Sequence, residues 1–169
     1  MLVEIVEELS AVSKIHLTIA GERTTSAHQA YYDRLAAYIA DHGLQDKVTL
    51  LVNLNRQQVA EQYRKADLFV IPSTREPASI SQLEAMAFSL PVVCGDKNGT
   101  ACYVENGVNG WQFRDNRKAS LKEVLDKMVG SPEQLQKMGQ ESYRLIQEKY
   151  QIENYLEGIK ELLKKLGKE

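Results

Sequence analysis

Short apolar runs alternate with helical patterns along this 169-residue chain, and this alternation constrains the fold more than any other feature. The apolar runs are rich in Val, Ile and Leu and are bounded by Gly or polar residues, as buried strands are. They occupy residues 15–20, 48–52, 68–71, 91–94 and, at an expected edge, 110–113. Helical patterns lie between them at 31–39, 57–65 and 80–88. Strands that alternate with helices form βαβ units, so we predict an α/β fold: a Rossmann-like doubly wound parallel sheet with helices on both faces.

The last third of the chain has helical patterns only. One helix is predicted over 120–129, and a second begins at Ser131-Pro132-Glu133-Gln134, where Ser can cap the helix and Pro suits its first turn. The second helix is predicted to end near residue 150, and an amphipathic helix follows over 153–166. A chain of this length without repeats or linker-like segments fits a single domain.

The N-terminal segment does not fit the expected fold. Leu2–Leu9 has the pattern of an amphipathic helix, whereas a doubly wound fold normally opens on its first strand. Either this helix packs alone, or the chain is a fragment that begins after the first strand. We favour the second interpretation and therefore expect a sheet that lacks its first strand.

Charge, apolar run length and cysteine spacing exclude several classes of function. A net charge of −2 gives no general attraction to nucleic acid, and no apolar run is long enough to cross a bilayer. Cys94 and Cys102 have neither metal-ligand nor redox spacing, which fits a reducing, cytoplasmic location with Cys94 in the core. The three histidines are scattered, so no metal site is expected.

Two glutamates stand in an otherwise apolar stretch, Glu76 in a loop and Glu84 in a helix, with seven residues between them. At about 100° per residue, Glu84 falls between Ile80 and Phe88, inside the apolar arc of the helix. The opposite face is then formed by Ser81, Gln82, Ala85 and Ser89. Two interpretations are open: Glu84 reaches water or a lysine at the edge of the core, or it accepts hydrogen bonds from a ligand such as a pair of hydroxyls.

Glu76 lies in the loop that leaves the predicted third strand, and ligands bind at the carboxyl ends of strands in open α/β sheets. The next helix begins with Ser79-Ile80-Ser81-Gln82, a capping box in which Ser79 caps and Gln82 reaches back. The free N–H groups and the dipole at this N-terminus favour an anion. A carboxylate, an anion site and a second carboxylate are what a sugar nucleotide needs for its sugar hydroxyls, diphosphate and ribose diol.

Segment 66–113 (ADLFVIPSTREPASISQLEAMAFSLPVVCGDKNGTACYVENGVNGWQF) resembles the C-terminal, donor-binding domain of family 4 retaining glycosyltransferases of the GT-B fold. The shared features are Ala66-Asp67, Pro72-Ser73, the glutamate pair with Leu-Glu-Ala-Met-Ala at the second, Pro-Val-Val at 91–93, and the later glycines Gly107 and Gly110. The similarity extends over about 15–160, nearly the whole chain.

The resemblance implies a role for each matching residue. Glu76 would be the catalytic carboxylate, which holds hydroxyls of the transferred sugar and helps to stabilise charge at the reacting carbon. Glu84 would bind the ribose diol. The backbone beside the diphosphate would be that of Pro77, Ala78, Ser79 and Ile80. The base would face Asn53 and Leu54, and the phosphates would lie beside Gly21, Glu22 and Arg23. No metal or cofactor is implied, because the helix N-terminus and basic side chains stabilise the departing diphosphate.

Two departures from the family pattern leave the sugar open. Pro77-Ala78-Ser79 replaces the usual Gly-Phe-Gly-like run, and Asn98-Gly99 replaces a glycine pair. The family's first strand, with its phosphate-binding Arg and Lys, and the acceptor-binding N-terminal domain would precede this chain. Arg75 could supply some positive charge, although a solvated loop position is the simpler interpretation.

The sequence therefore predicts the donor-binding half of a retaining glycosyltransferase of polysaccharide biosynthesis, inactive when alone. Its partners would be a nucleotide sugar, the N-terminal domain and a glycan or lipid-linked glycan acceptor, with peripheral membrane association of the full-length enzyme allowed. Two alternatives stay open: a degenerate, non-catalytic module of the same fold that binds a nucleotide or a partner, and an unrelated nucleotide-binding α/β enzyme. The absence of Gly-x-Gly-x-x-Gly after the first predicted strand disfavours a dinucleotide site.

The last predicted helix carries an apolar stripe that is wide for a terminal helix. Its members are Tyr155, Leu156, Ile159, Leu162, Leu163 and Leu166. Either the stripe packs on its own domain, or Leu162, Leu163 or Leu166 is exposed or covered by a second copy of the chain. We predict the second outcome, and with it self-association through this helix.

Overall fold

The computed structural model describes residues 1–74 and 76–167, and these form an α/β fold. The strands are β1 (Leu17–Gly21), β2 (Val48–Val52), β3 (Phe69–Ile71), β4 (Val92–Gly95) and β5 (Gly110–Phe113). The helices are α1 (Leu2–Leu9), α2 (Ser26–Asp41), α3 (Arg56–Lys65), α4 (Ile80–Ala87), α5 (Lys118–Val129), α6 (Pro132–Lys149) and α7 (Ile152–Lys165), with a short 3-10 turn at Ala101–Tyr103. The predicted order of strands and helices is confirmed.

Most predicted boundaries agree with the structure to within two residues, and α2 is the exception. It begins at Ser26 rather than near residue 31, because Thr25 caps it by accepting a hydrogen bond from the His28 amide at 3.2 Å. The first turn of α2, residues 26–29, has no large apolar residue, so apolar periodicity could not find it. The helix ends at Asp41, two residues beyond the predicted pattern, and Gly43 then adopts a φ of +63°, the left-handed conformation common just after helices.

The strands form two parallel sheets rather than the single sheet expected. β1 pairs with β2 in one sheet, and β3, β4 and β5 follow one another in the other. In the doubly wound order 3-2-1-4-5-6, a chain without the first strand would be divided between its first and third remaining strands, here β1 and β3. The observed division lies there, and among residues 1–74 and 76–167 no strand pairs with the outer edges of β1 or β3.

Burial follows this division. Strand β4, which has neighbours on both sides, is buried at all four positions. In the part of the chain that the structure describes, strands β1, β2, β3 and β5 each have only one neighbour and are only partly buried.

Helix α1 is part of the core and does not pack alone. Its Ile5 and Leu9 join a buried cluster formed largely by α5, while Val3 and Val6 join a second cluster around α2 and β2. At its surface Glu4 accepts a hydrogen bond from Lys118 of α5 at 2.8 Å. The helix thus connects the two halves of the fold.

Helix α7, unlike α1, contributes nothing to the core, because none of its residues is buried. Leu162, Leu163 and Leu166 are 58%, 41% and 63% exposed, which confirms the predicted exposure. Among the described residues, no helix is both long and apolar enough to cross a membrane.

Candidate functional site

The predicted site residues lie in the loops that follow β1, β2 and β3. The strands within each sheet are parallel, so their carboxyl ends and the loops beyond them share one edge of that sheet. The predicted site residues there are 21–23 at the end of β1, 53–54 after β2 and 76–79 after β3.

The loops after β1 and β2 are held together by Asn53. Its Oδ1 accepts a hydrogen bond from the Arg23 amide at 2.8 Å, and its own amide donates to the Gly21 carbonyl at 3.0 Å. Asn53 adopts a φ of 54°, a left-handed conformation that Asn tolerates better than most residues. The structure therefore brings together two predicted groups. The first is Gly21, Glu22 and Arg23, and the second is Asn53 with its half-buried neighbour Leu54.

A largely apolar cavity of about 170 Å³ opens below this junction, between α2 and the β1–β2 sheet. Its wall includes Gly21, Glu22, His28 and Tyr32 together with aliphatic residues of both strands. The Arg23 guanidinium lies over the Tyr32 ring, 4.5 Å from its centre, so it is held beside this opening.

The loop after β3 presents Glu76 and leads into α4. The Glu76 carboxylate accepts a hydrogen bond from the Ala78 amide at 3.4 Å, and the Glu76 carbonyl accepts one from the Gly99 amide at 2.8 Å. A Cβ atom at Gly99 would lie 1.8 Å from the Pro77 carbonyl oxygen, so this approach requires glycine. Arg75 lies outside the described residues.

The helix that carries Glu84 packs with a different face from the one predicted. Ile80 is 72% exposed and Glu84 is exposed as well, whereas Gln82, Ala85 and Met86 are buried. Ala85 and Met86 direct this face toward the interior, where α4 contacts α6. Gln82 accompanies them because both ends of its side-chain amide are hydrogen-bonded: Nε2 donates to the Thr100 carbonyl at 2.8 Å, and Oε1 accepts from the Thr100 hydroxyl at 2.7 Å. The placement of Glu84 inside a buried apolar arc was therefore wrong.

Only half of the predicted capping box forms. Ser79 is the N-cap and its Oγ accepts from the Gln82 amide at 3.3 Å. The Gln82 side chain does not reach back, because it is engaged with Thr100. The N–H groups of Ile80 and Ser81, at the helix start, have no intrahelical acceptor and can face an anion.

Tyr63 of α3 is a site neighbour that the sequence did not reveal. Its hydroxyl lies 3.3 Å from Glu84 Oε2 and 3.3 Å from the Ser81 carbonyl, and it donates to these acceptors. Burial and, secondly, the charge of Glu84 raise the pKa of Tyr63 to about 12. The hydroxyl therefore stays protonated and orients the Glu84 carboxylate at the surface.

Taken together, the site offers two exposed or half-exposed carboxylates on either side of a helix N-terminus. Carboxylates accept hydrogen bonds from hydroxyl groups, and the helix N-terminus attracts phosphate. Within 1–74 and 76–167, no group of three or more His, Cys, Asp or Glu side chains converges as metal ligands would.

Comparison with known families decides the assignment. Residues 1–145 match the family described as glycosyl transferases group 1. The chain belongs to this family. The D-inositol 3-phosphate glycosyltransferase of Nocardia farcinica is 30% identical over 107 residues, which cover 63% of this chain and 24% of that enzyme. The chain thus spans about a quarter of this relative's length.

Solved structures agree in fold. TarM of S. aureus, crystallised as a mutant with fondaparinux, α-GlcNAc-glycerol and UDP, is 25% identical with a TM-score of 0.79 over 92% of this chain and 30% of its own. The C-terminal domain of the group 1 glycosyl transferase LpcC from Francisella tularensis is 16% identical with a TM-score of 0.72, covering 88% of this chain and 92% of that domain. Both are similar to this chain in fold, and the glycosyltransferase class rests on the family match.

Proposed function

We propose that this chain is the C-terminal, donor-binding half of a retaining, family 4 glycosyltransferase that transfers a sugar from a nucleotide sugar to a glycan or lipid-linked glycan. The observation that carries the proposal is the arrangement around α4: Glu76 before its N-terminus, the N-terminus itself, and Glu84 exposed one turn inside. The family match supports the class of enzyme, and the UDP in the TarM structure supports a nucleotide as the ligand.

In this proposal each part of the site meets one part of the donor. Glu76 faces the transferred sugar, the backbone from Pro77 to Ile80 faces the diphosphate, and Glu84 accepts hydrogen bonds from the ribose hydroxyls. The joined loops after β1 and β2 lie beside the phosphates and the base. The exposure of Glu84 suits this role, since a carboxylate that binds a diol has to be reachable from solvent.

The proposed reaction requires no metal. Negative charge develops on the departing diphosphate, and the positive end of a helix dipole stabilises such charge in place. The enzyme would act in the cytoplasm, where nucleotide sugars are made.

A panel titration tests the proposal. UDP, GDP, UDP-glucose, UDP-N-acetylglucosamine and GDP-mannose are titrated into the chain by isothermal calorimetry. We expect one base to be preferred, and its nucleotide sugar to bind more tightly than the bare diphosphate. If none of the five binds, the donor-binding function is wrong and a degenerate, partner-binding module of the same fold is favoured.

A further inference from the structure

Three buried polar side chains form a connected network behind the Glu76 loop. Gln82 is fully buried, and Thr100 and Asn98 are 2% and 4% exposed. The Thr100 hydroxyl lies 2.7 Å from both Gln82 Oε1 and Asn98 Oδ1, and the Thr100 amide donates to Asn98 Oδ1 at 2.9 Å. Since Gln82 also donates to the Thr100 carbonyl, Thr100 is bound at its amide, its carbonyl and its hydroxyl.

The network holds the segment that touches Glu76. Gly99 stands between Asn98 and Thr100, and its amide donates to the Glu76 carbonyl at 2.8 Å. The Gly99 backbone lies so close to Pro77 that no side chain fits between them. Any shift of Thr100 therefore moves the backbone contact that sets the position of Glu76.

One polar atom of the network has no protein partner in the described part of the chain. Asn98 Nδ2 is buried and has no hydrogen-bond partner among the described residues. A buried donor without a partner destabilises the fold, and such groups in native structures call for a specific explanation. A fixed loop geometry beside the proposed sugar site is such an explanation.

We infer that Gln82, Thr100 and Asn98 are positioning residues, which hold the Gly99 amide against the Glu76 carbonyl and so direct the Glu76 carboxylate to the transferred sugar. This inference rests on the proposed role of Glu76. It also accounts for the Asn98-Gly99 pair: Gly99 permits the contact with Pro77, and Asn98 ties the turn to Thr100.

Thr100→Val is the decisive variant, because it removes the hydroxyl and keeps nearly the same volume. Thr100→Ser restores the hydroxyl. Ser142→Ala is the matched control, since Ser142 is also fully buried and its hydroxyl donates to a loop carbonyl, that of Asn109, at 3.1 Å. All three are made in the full chain, and thermal unfolding checks that each is folded.

The first measurement needs no ligand. Amide hydrogen exchange by NMR reports local opening, and we expect the Gly99 amide to exchange about tenfold faster in Thr100→Val. Thr100→Ser and Ser142→Ala should leave its rate near that of the unmodified chain. Unchanged exchange in Thr100→Val overturns the inference.

The second measurement separates positioning from general damage. Each nucleotide sugar of the panel is compared with its own diphosphate, and the ratio of the two affinities reports the sugar contact alone. Small displacements of a positioned group are costly, so we expect Thr100→Val to lower this ratio about tenfold while diphosphate affinity stays within about twofold. An equal loss for sugar and diphosphate indicates a merely structural role and overturns the inference.

The outcomes distinguish this inference from the proposed function. If the unmodified chain binds no nucleotide sugar more tightly than its diphosphate, the sugar role of Glu76 fails, and with it both proposals. If the unmodified chain shows the preference and Thr100→Val keeps it in full, only the positioning role fails.

Discussion

At the scale of single residues, Glu84 shows the clearest difference between predicted and observed surroundings. Replacing a buried carboxylate with a neutral side chain would leave the stability of the fold unchanged or raise it. Glu84, however, is exposed and contacts the Tyr63 hydroxyl. The charge of Glu84 therefore has no bearing on the core, and its effect should appear in ligand binding alone.

We expect Glu84→Gln to weaken binding of the preferred nucleoside diphosphate by about 1.5–3 kcal/mol, the scale of hydrogen bonds to a charged group. The free energy of unfolding should change by less than about 0.5 kcal/mol, as is usual for exposed positions. Calorimetry and urea unfolding measure the two quantities. Glu157→Gln, at an exposed glutamate of α7, is the control and should change neither. Unchanged affinity in Glu84→Gln would contradict the ribose role.

The reason the sequence misplaced Glu84 is also found at single residues. Helix α4 leaves Ile80 exposed and buries Gln82 beside Ala85 and Met86, so its inner face does not follow the apolar pattern alone. Gln82 makes two hydrogen bonds with Thr100, which lies 18 residues away, and no local pattern reveals such a distant pairing. Tyr63 was missed for the same reason, since its contact with Glu84 spans 21 residues.

At the scale of helices and strands, prediction succeeded wherever the signal is local. The strand at 48–52 is a continuous β-branched and aliphatic run, and the structure has it at the same bounds. Helix α6 begins after Ser131 with Pro132 in its first turn, as its start signal indicated, although Ser131 makes no side-chain capping bond. The division into two sheets is not local, and the sequence had predicted a single sheet.

Helix α7 is the element whose surroundings are least complete. Its apolar residues recur at helical spacing, yet the structure covers none of them. They are Ile152, Tyr155, Leu156, Ile159, Leu162, Leu163 and Leu166. A helix of this length is marginal in water without tertiary contacts, so the stripe needs a partner surface.

We expect the chain to self-associate through α7 as its concentration rises, because two copies can cover each other's stripes. Sedimentation velocity at several concentrations measures this. Leu162→Gln should weaken the association, whereas Lys160→Gln, on the same helix but outside the stripe, should not. A chain that stays monomeric at every concentration would contradict self-association, and the exposed stripe would then await a different partner.

At the scale of the whole molecule, two kinds of surface lack a covering neighbour among the described residues. The free edges of β1 and β3 and the bare face of α7 are surfaces that a stable domain normally covers. The segment that matches the Nocardia relative covers about 24% of that enzyme's length. Under the proposed function, we therefore expect donor binding and sugar transfer to be separable.

We expect the chain alone to bind its nucleotide sugar weakly and to transfer no sugar. Catalysis of transfer depends on holding donor and acceptor in reactive geometry, and in the proposed enzyme the acceptor is held by the other domain. The assay follows a radiolabelled sugar from the preferred nucleotide sugar to glycan acceptors over many hours. Glu76→Gln is run in parallel, because turnover that persists in this variant comes from a contaminating enzyme. Turnover that is present in the unmodified chain and lost in Glu76→Gln would contradict the prediction: these 169 residues would then hold the acceptor as well as the donor.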